Sequence, residues 1–291
     1  MTSSGTGHPV VASVDGSSAL HAVRWAVREP ARRHAPLRLV HVCVLMLVRH
    51  PSQVAPPPEC HDAILERGRH WLNQAAEPAR AAAPDVPLRM DLRDGSAADV
   101  LVRDSKTTQL IVLGSCGLGG FRGLLIGSVS VALAARAYCP VVVMRGPAGG
   151  GSPPETGRVV VGVDGSPLSD AVIEFALVAA TQHRVPLIAV HSWMDVNISA
   201  GWAGVPDTIG WEFTRVGEAR RLDEVLAPWC EKFPDVEVRK VVERDRPDQA
   251  LLKAAAGATL VVVLTGLGLG SVSQSLLHHA ECPVLARAVT R

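Results

Sequence analysis

The chain has 291 residues, 47% of them hydrophobic and 20% charged, with a formal net charge of +1. This length suggests two domains, the composition excludes global disorder, and the near-neutral balance supplies no basic face for nucleic acid. Six cysteines spread over the chain without a C-x-x-C pair read as reduced thiols of a cytoplasmic protein.

The start, MTSSGTGHPV, has no apolar segment of signal-peptide type, and no apolar run reaches the roughly 20 residues that span a bilayer. Neither secretion nor membrane insertion is expected.

In chain order, strands are predicted over 9–14, 37–44, 86–92, 109–113 and 140–144. These runs of Val, Ile and Leu are nearly continuous, as buried parallel strands are. Between them lie helical patterns near 18–33, 60–82, 96–105 and 125–138. Asp15-Gly16-Ser17 supplies a turn and helix-start signal, and Gly95-Ser96 supplies another. Pro30 and Pro78 fall inside helical patterns, so a kink or an early stop is expected at each.

The pattern then repeats. Val14-Asp15-Gly16-Ser17 recurs as Val163-Asp164-Gly165-Ser166, an offset of 149. His41 recurs as His191 and Leu110 as Leu260, each 150 residues on. The GSVS at 127–130 recurs at 270–273, and Cys139-Pro140-Val141 as Cys282-Pro283-Val284, both at an offset of 143. The chain is therefore a duplication. The expected organisation is a first domain over 1–146, a Gly/Pro-rich linker over 147–157 and a second domain over 158–291. The expected fold is α/β: two tandem Rossmann-like domains, each a five-stranded parallel sheet with helices on both faces.

The drop in offset places a seven-residue deletion in the second copy, opposite Cys116 to Arg122. In the first copy the affected stretch carries Gly114-x2-Gly117-x9-Gly127-Ser128. Glycines let backbone approach a ligand closely, and N–H groups at a helix start attract anions. Gly127 to Ser130 thus reads as a phosphate seat, with Gly114 and Gly117 as a second wall. Taken alone, the stretch also fits a flexible connection. It is not a Walker loop, since the loop has no lysine. It is not a dinucleotide fingerprint, because the glycines follow the fourth strand.

With VDGS at 14–17, LVHV at 39–42 and the full glycine motif, the chain resembles the ATP-binding members of the universal stress protein family. Both halves are covered, in the tandem form common in actinobacteria. The resemblance implies roles by position. Asp15 would hydrogen-bond the ribose or adenine side, and Ser13 and Val14 would line the base pocket. Val42 would offer backbone groups to adenine, and Gly114 and Gly117 would pass under the ribose and phosphates. Gly127, Ser128, Val129 and Ser130 would bind phosphate oxygens.

ATP with Mg2+ is the implied ligand. A homodimer is the implied assembly, and a further regulatory protein partner is left open. The last strands, 140–144 and 283–286, would pair the two domains. Two departures stand out. Ser13 replaces a frequent glycine, which the second copy keeps as Gly162. The second copy also lacks Gly-x2-Gly, so it is expected to bind ATP weakly or not at all.

Asp15 also fits a plain helix cap. His278-His279 reads as a helix surface rather than a metal site, because adjacent helical residues diverge by about 100°. Cys116 sits in the loop with nothing nearby to lower its pKa. No catalytic constellation is present, and Arg122 is the only cation in the loop. The expected function is a nucleotide-dependent stress regulator with at most slow ATP hydrolysis. The alternatives are a slow ATP hydrolase and a nucleotide-free dimeric scaffold.

Overall fold

The computed structural model describes residues 7–16, 19–43, 58–114, 126–145, 156–166, 169–193, 211–265 and 269–288. Gly117, Cys116, Arg122, Ser17 and most of the Pro-rich segment 51–58 lie outside the described residues, as does most of the linker. The chain divides into two compact units, one built on Met1–Met144 and one on Arg145–Leu264 with Gly270–Leu285.

The first unit runs β1 (Val10–Ser13), α1 (Ala19–Ala26), α2 (Arg28–Arg33), β2 (Leu37–Cys43), α3 (Pro58–Ala82), β3 (Leu88–Asp94), α4 (Ala97–Asp104), β4 (Leu110–Gly114), α5 (Ser128–Arg136) and β5 (Val141–Met144). Its strands lie in the order β3-β2-β1-β4-β5, and every described pairing is parallel. The central strands are the apolar ones. Val10, Val11, Ala12, Ile111 and Val112 are wholly buried. Burying a side chain of Val or Ile size contributes about 1.5–3 kcal/mol. Helix α1 packs with α3, and α4 packs with α5, so each face of the sheet carries its own pair.

The second unit repeats this plan: β6 (Val159–Gly162), α6 (Ser169–His183), β7 (Leu187–Ser192), α7 (Trp211–Lys232), β8 (Val238–Glu243), α8 (Pro247–Ala255), β9 (Leu260–Thr265), α9 (Ser271–His279) and β10 (Val284–Ala288). Its order is β8-β7-β6-β9-β10. The expected α/β class with two tandem parallel sheets is therefore what the chain builds.

Three local readings are corrected. The single helix expected near 18–33 is two, broken at Val27. Pro30 has no N–H to close the next turn, which accounts for the interruption just before it. Pro78 does not stop α3, which continues to Ala82. Strand β3 extends two residues beyond Leu92, through Arg93 and Asp94. As an edge strand it takes charged residues that a central strand would exclude.

In both units the first strand turns sharply after its Asp. Gly16 has φ 125 and Gly165 has φ 72, values that favour glycine and explain the Asp-Gly pair.

Candidate functional site

In the first unit the strand order reverses direction at β1 and β4. A crevice at the carboxyl ends of those strands is where an open parallel sheet binds ligands. Asp15 follows β1 there, half-buried. Val42 is near the end of β2, Gly114 ends β4, and Gly127 caps the start of α5. The described members of the expected set therefore share one end of one sheet.

The backbone of β2 offers a donor and an acceptor. The Val14 N–H donates to the Val40 carbonyl at 2.8 Å. Alternate residues of a parallel strand direct their polar groups to the same neighbour. Val42, two residues on, therefore aims its N–H and C=O at the β1 side, beyond the last β1 residue, Ser13. On the other edge, Cys43 is already spent: its carbonyl accepts from the Gly95 N–H at 3.0 Å.

Helix α5 supplies the anion-seeking groups. Gly127 is extended (φ −77, ψ 148), with no side-chain cap. The helical hydrogen bonds begin with the Val131 N–H donating to the Gly127 carbonyl at 3.2 Å. The N–H groups of Ser128, Val129 and Ser130 therefore precede the helical ladder and point out of the helix start. Ser128 is exposed.

Ser130 is buried, and its hydroxyl donates to the Gly114 carbonyl at 3.0 Å. The hydroxyl of Ser130 thus fixes α5 to the end of β4, and its N–H lies before the helical ladder. The second unit makes the same tie, Ser273 Oγ to the Leu264 carbonyl at 2.8 Å, without any Gly-x2-Gly. The tie belongs to the architecture.

The motif residues did not assign a role to His41. Its Nδ1–H donates to the Val14 carbonyl at 2.5 Å, clamping the exit of β1 against β2. The edge of the ring meets Trp71 of α3, with centroids 5.0 Å apart. Gly68 lets α3 come this close: a Cβ there would lie 2.7 Å from His41 Cδ2 and 2.6 Å from Leu92 Cδ1. The repeated His at the end of β2 was the available signal, since His191 makes the same bond to the Val163 carbonyl at 2.7 Å.

The two units then diverge. At the position matching Gly68, the second unit has Glu218, whose carboxylate lies 3.0 Å from His191 Nε2 and 2.9 Å from Arg221. Asp164 is held by its own turn: its Oδ1 accepts from the Ser166 N–H at 2.9 Å and the Ser169 hydroxyl at 2.6 Å. Desolvation alone would raise the Asp164 carboxyl, but the bonds from Ser169 and Ser166 outweigh it and hold the pKa below the ordinary value. Ser169 is the first residue of α6, and the first residue of α1 is Ala19, which has no hydroxyl.

Gly162 also has a packing reason. A Cβ there would lie 3.1 Å from Leu251 Cδ1, so its small size serves the contact with α8.

A sequence profile of the Universal stress protein family matches residues 8–145 and 155–286. The chain is 36% identical over 292 residues to universal stress protein Rv2005c of Mycobacterium tuberculosis, covering 96% of each chain. It is 34% identical over 296 residues to universal stress protein Rv2623 of the same species, covering 98% of each. A crystal structure of a universal stress protein from Archaeoglobus fulgidus superimposes with a TM-score of 0.68 at 18% identity, covering 98% of this chain and 97% of that one. The chain belongs to the universal stress protein family, as a tandem of two family domains.

Proposed function

We propose that the first unit binds ATP at the carboxyl ends of β1, β2 and β4, and that the bound nucleotide tunes interactions of the protein in a stress response. The observation that carries this reading is the shared location of three kinds of group. Asp15 supplies a carboxylate for ribose hydroxyls. Val42 supplies a backbone donor and acceptor for a base edge. The start of α5 supplies free N–H groups for phosphate oxygens. Ser13 and Val14 line the same end, and Gly114 with Gly117 would form the wall beneath the phosphates.

Mg2+ would be held mainly by the phosphates and water. Among the described residues no group of three His, Cys, Asp or Glu side chains is placed to hold a metal ion. Nothing in this set activates a water, so the reading is binding with at most slow hydrolysis. The second unit has its aspartate engaged by Ser169 and is read as the non-binding half. The chain acts as a homodimer in this proposal, with a further protein partner reading the nucleotide state.

The test is calorimetric titration of Mg-ATP into nucleotide-stripped protein. One site per chain is expected, weakened at least tenfold in Asp15→Ala and in Gly117→Ala but unchanged in Asp164→Asn. No heat, with no nucleotide released from freshly purified protein, would move the assignment to the scaffold. Repeated turnover that depends on Asp15 would move it to a hydrolase. Two equal sites would sink the reading of the second unit.

A further inference from the structure

A cavity of about 900 Å³ opens in the first unit, running from the amino ends of β1, β2 and β3 along one face of β3 to Arg93. Its walls include Pro9, Pro36, Leu37, Val86 and Pro87, while Arg38, Asp85, Arg89, Asp91 and Arg93 are the charged residues of its lining. The volume falls within the range of small-molecule sites, which combine an apolar lining with a few placed polar groups.

The polar side is built from charges that the fold does not need. Arg38 is largely buried; its Nε lies 2.5 Å from Asp91 and its NH2 group 3.0 Å from Asp104, itself mostly covered. Taking such charges out of water is costly. The second unit forms the same corner without them: Ile188, Val241 and Ala254 stand at the positions of Arg38, Asp91 and Asp104. The register is the same in both, Arg38 opposite Arg89 and Ile188 opposite Arg239.

The outer arginine differs as well. In the second unit Glu237 holds Arg239 at 2.7 Å. In the first unit the matching residue is Pro87, and among the described residues no carboxylate pairs with Arg89. Arg93, on the same face of β3, is only loosely held, at 3.9–4.0 Å from Asp104 and Asp91.

We propose that this cavity is a second ligand site, centred on Arg89 at the amino end of β3, that takes an amphipathic organic carboxylate. The apolar body lies along the proline-rich wall and the carboxylate meets Arg89, while Arg93 stands about 13 Å further along the same face of β3. Arg38 is a positioning residue: neutralised by Asp91 and Asp104, it stiffens the floor of the site. A bidentate arginine–carboxylate contact supplies the selectivity for an anion.

The probe is decanoate, titrated calorimetrically into the full chain below its micelle concentration, with and without saturating Mg-ATP. One equivalent is expected to bind in both cases. Affinity should fall at least tenfold in Arg89→Glu and several-fold in Arg89→Gln, with unchanged far-ultraviolet circular dichroism. Decylamine, with the same tail and opposite charge, should not compete. The proposal is overturned if decanoate gives no saturable heat, if Arg89→Glu binds it as tightly as wild type, or if decylamine binds equally well. Because the readout does not require ATP to bind, failure here leaves the nucleotide reading standing, and the reverse.

Discussion

At the scale of single residues, the aspartate of the second copy is held by its own turn. Asp164 is tied into its own turn by Ser169 and Ser166. Its folded pKa is depressed, so its contribution is fully present above the unfolded carboxyl value of 3.8 and is lost as pH falls through the lower folded value. Removing the hydroxyl with Ser169→Ala should cost about 0.5 kcal/mol at pH 7, a modest figure because the carboxylate faces solvent. Urea unfolding should show that difference at pH 7 and a smaller one as pH falls below 3.8.

Thiols provide a second residue-scale check. Burial pushes Cys139 and Cys282 up to about 12, whereas Cys60 is exposed. Iodoacetamide at pH 8 should label Cys60 in the native protein, and label Cys139 and Cys282 only after unfolding.

At the scale of elements, two helical glycines should respond in opposite directions. Gly68→Ala places a Cβ 2.6 Å from Leu92 and 2.7 Å from His41, so overpacking of about 1–3 kcal/mol should exceed the helix-propensity gain. Gly217→Ala meets nothing within 4 Å, and α7 should gain about 1 kcal/mol. Thermal melts of the two variants should shift in opposite senses.

The strands were the legible part of the sequence, because Val-rich runs leave little choice of burial, and the periodic helices came with them. The interruption before Pro30 was legible from the proline itself; the passage of α3 through Pro78 was not, since packing against the sheet decides which proline a helix tolerates. In the site, Asp15, Gly127 and Ser128 were marked by local turn and helix-start chemistry. The hydroxyl of Ser130 reaches sixteen residues back to Gly114, a contact no local pattern reveals. Gly68 and Trp71 were silent for the same reason: their importance lies in a helix crossing His41, not in their spacing.

At the scale of the molecule, the duplication predicts an uneven response to ligand. Amide hydrogen exchange of the full chain with Mg-ATP should show added protection around Ser13–Gly16, at Val42 and at the start of α5. The matching peptides, around Val163–Ser169 and the start of α9, should not change. A ligand at 100 times its Kd stabilises the state that binds it by about 2.7 kcal/mol. Such an increment is large enough to read in the peptides of the first unit. Equal protection of both copies would overturn the assignment of a single nucleotide site.

The turn that holds Asp164 also bears on how duplicated chains diverge. A carboxylate recruited into its own helix start is kept by folding alone, whether or not a ligand ever visits it. The VDGS signature can therefore stand on its folding role, and a count of its copies is not a count of ligand sites. The tie itself rests on one hydroxyl, that of Ser169 at the first residue of α6.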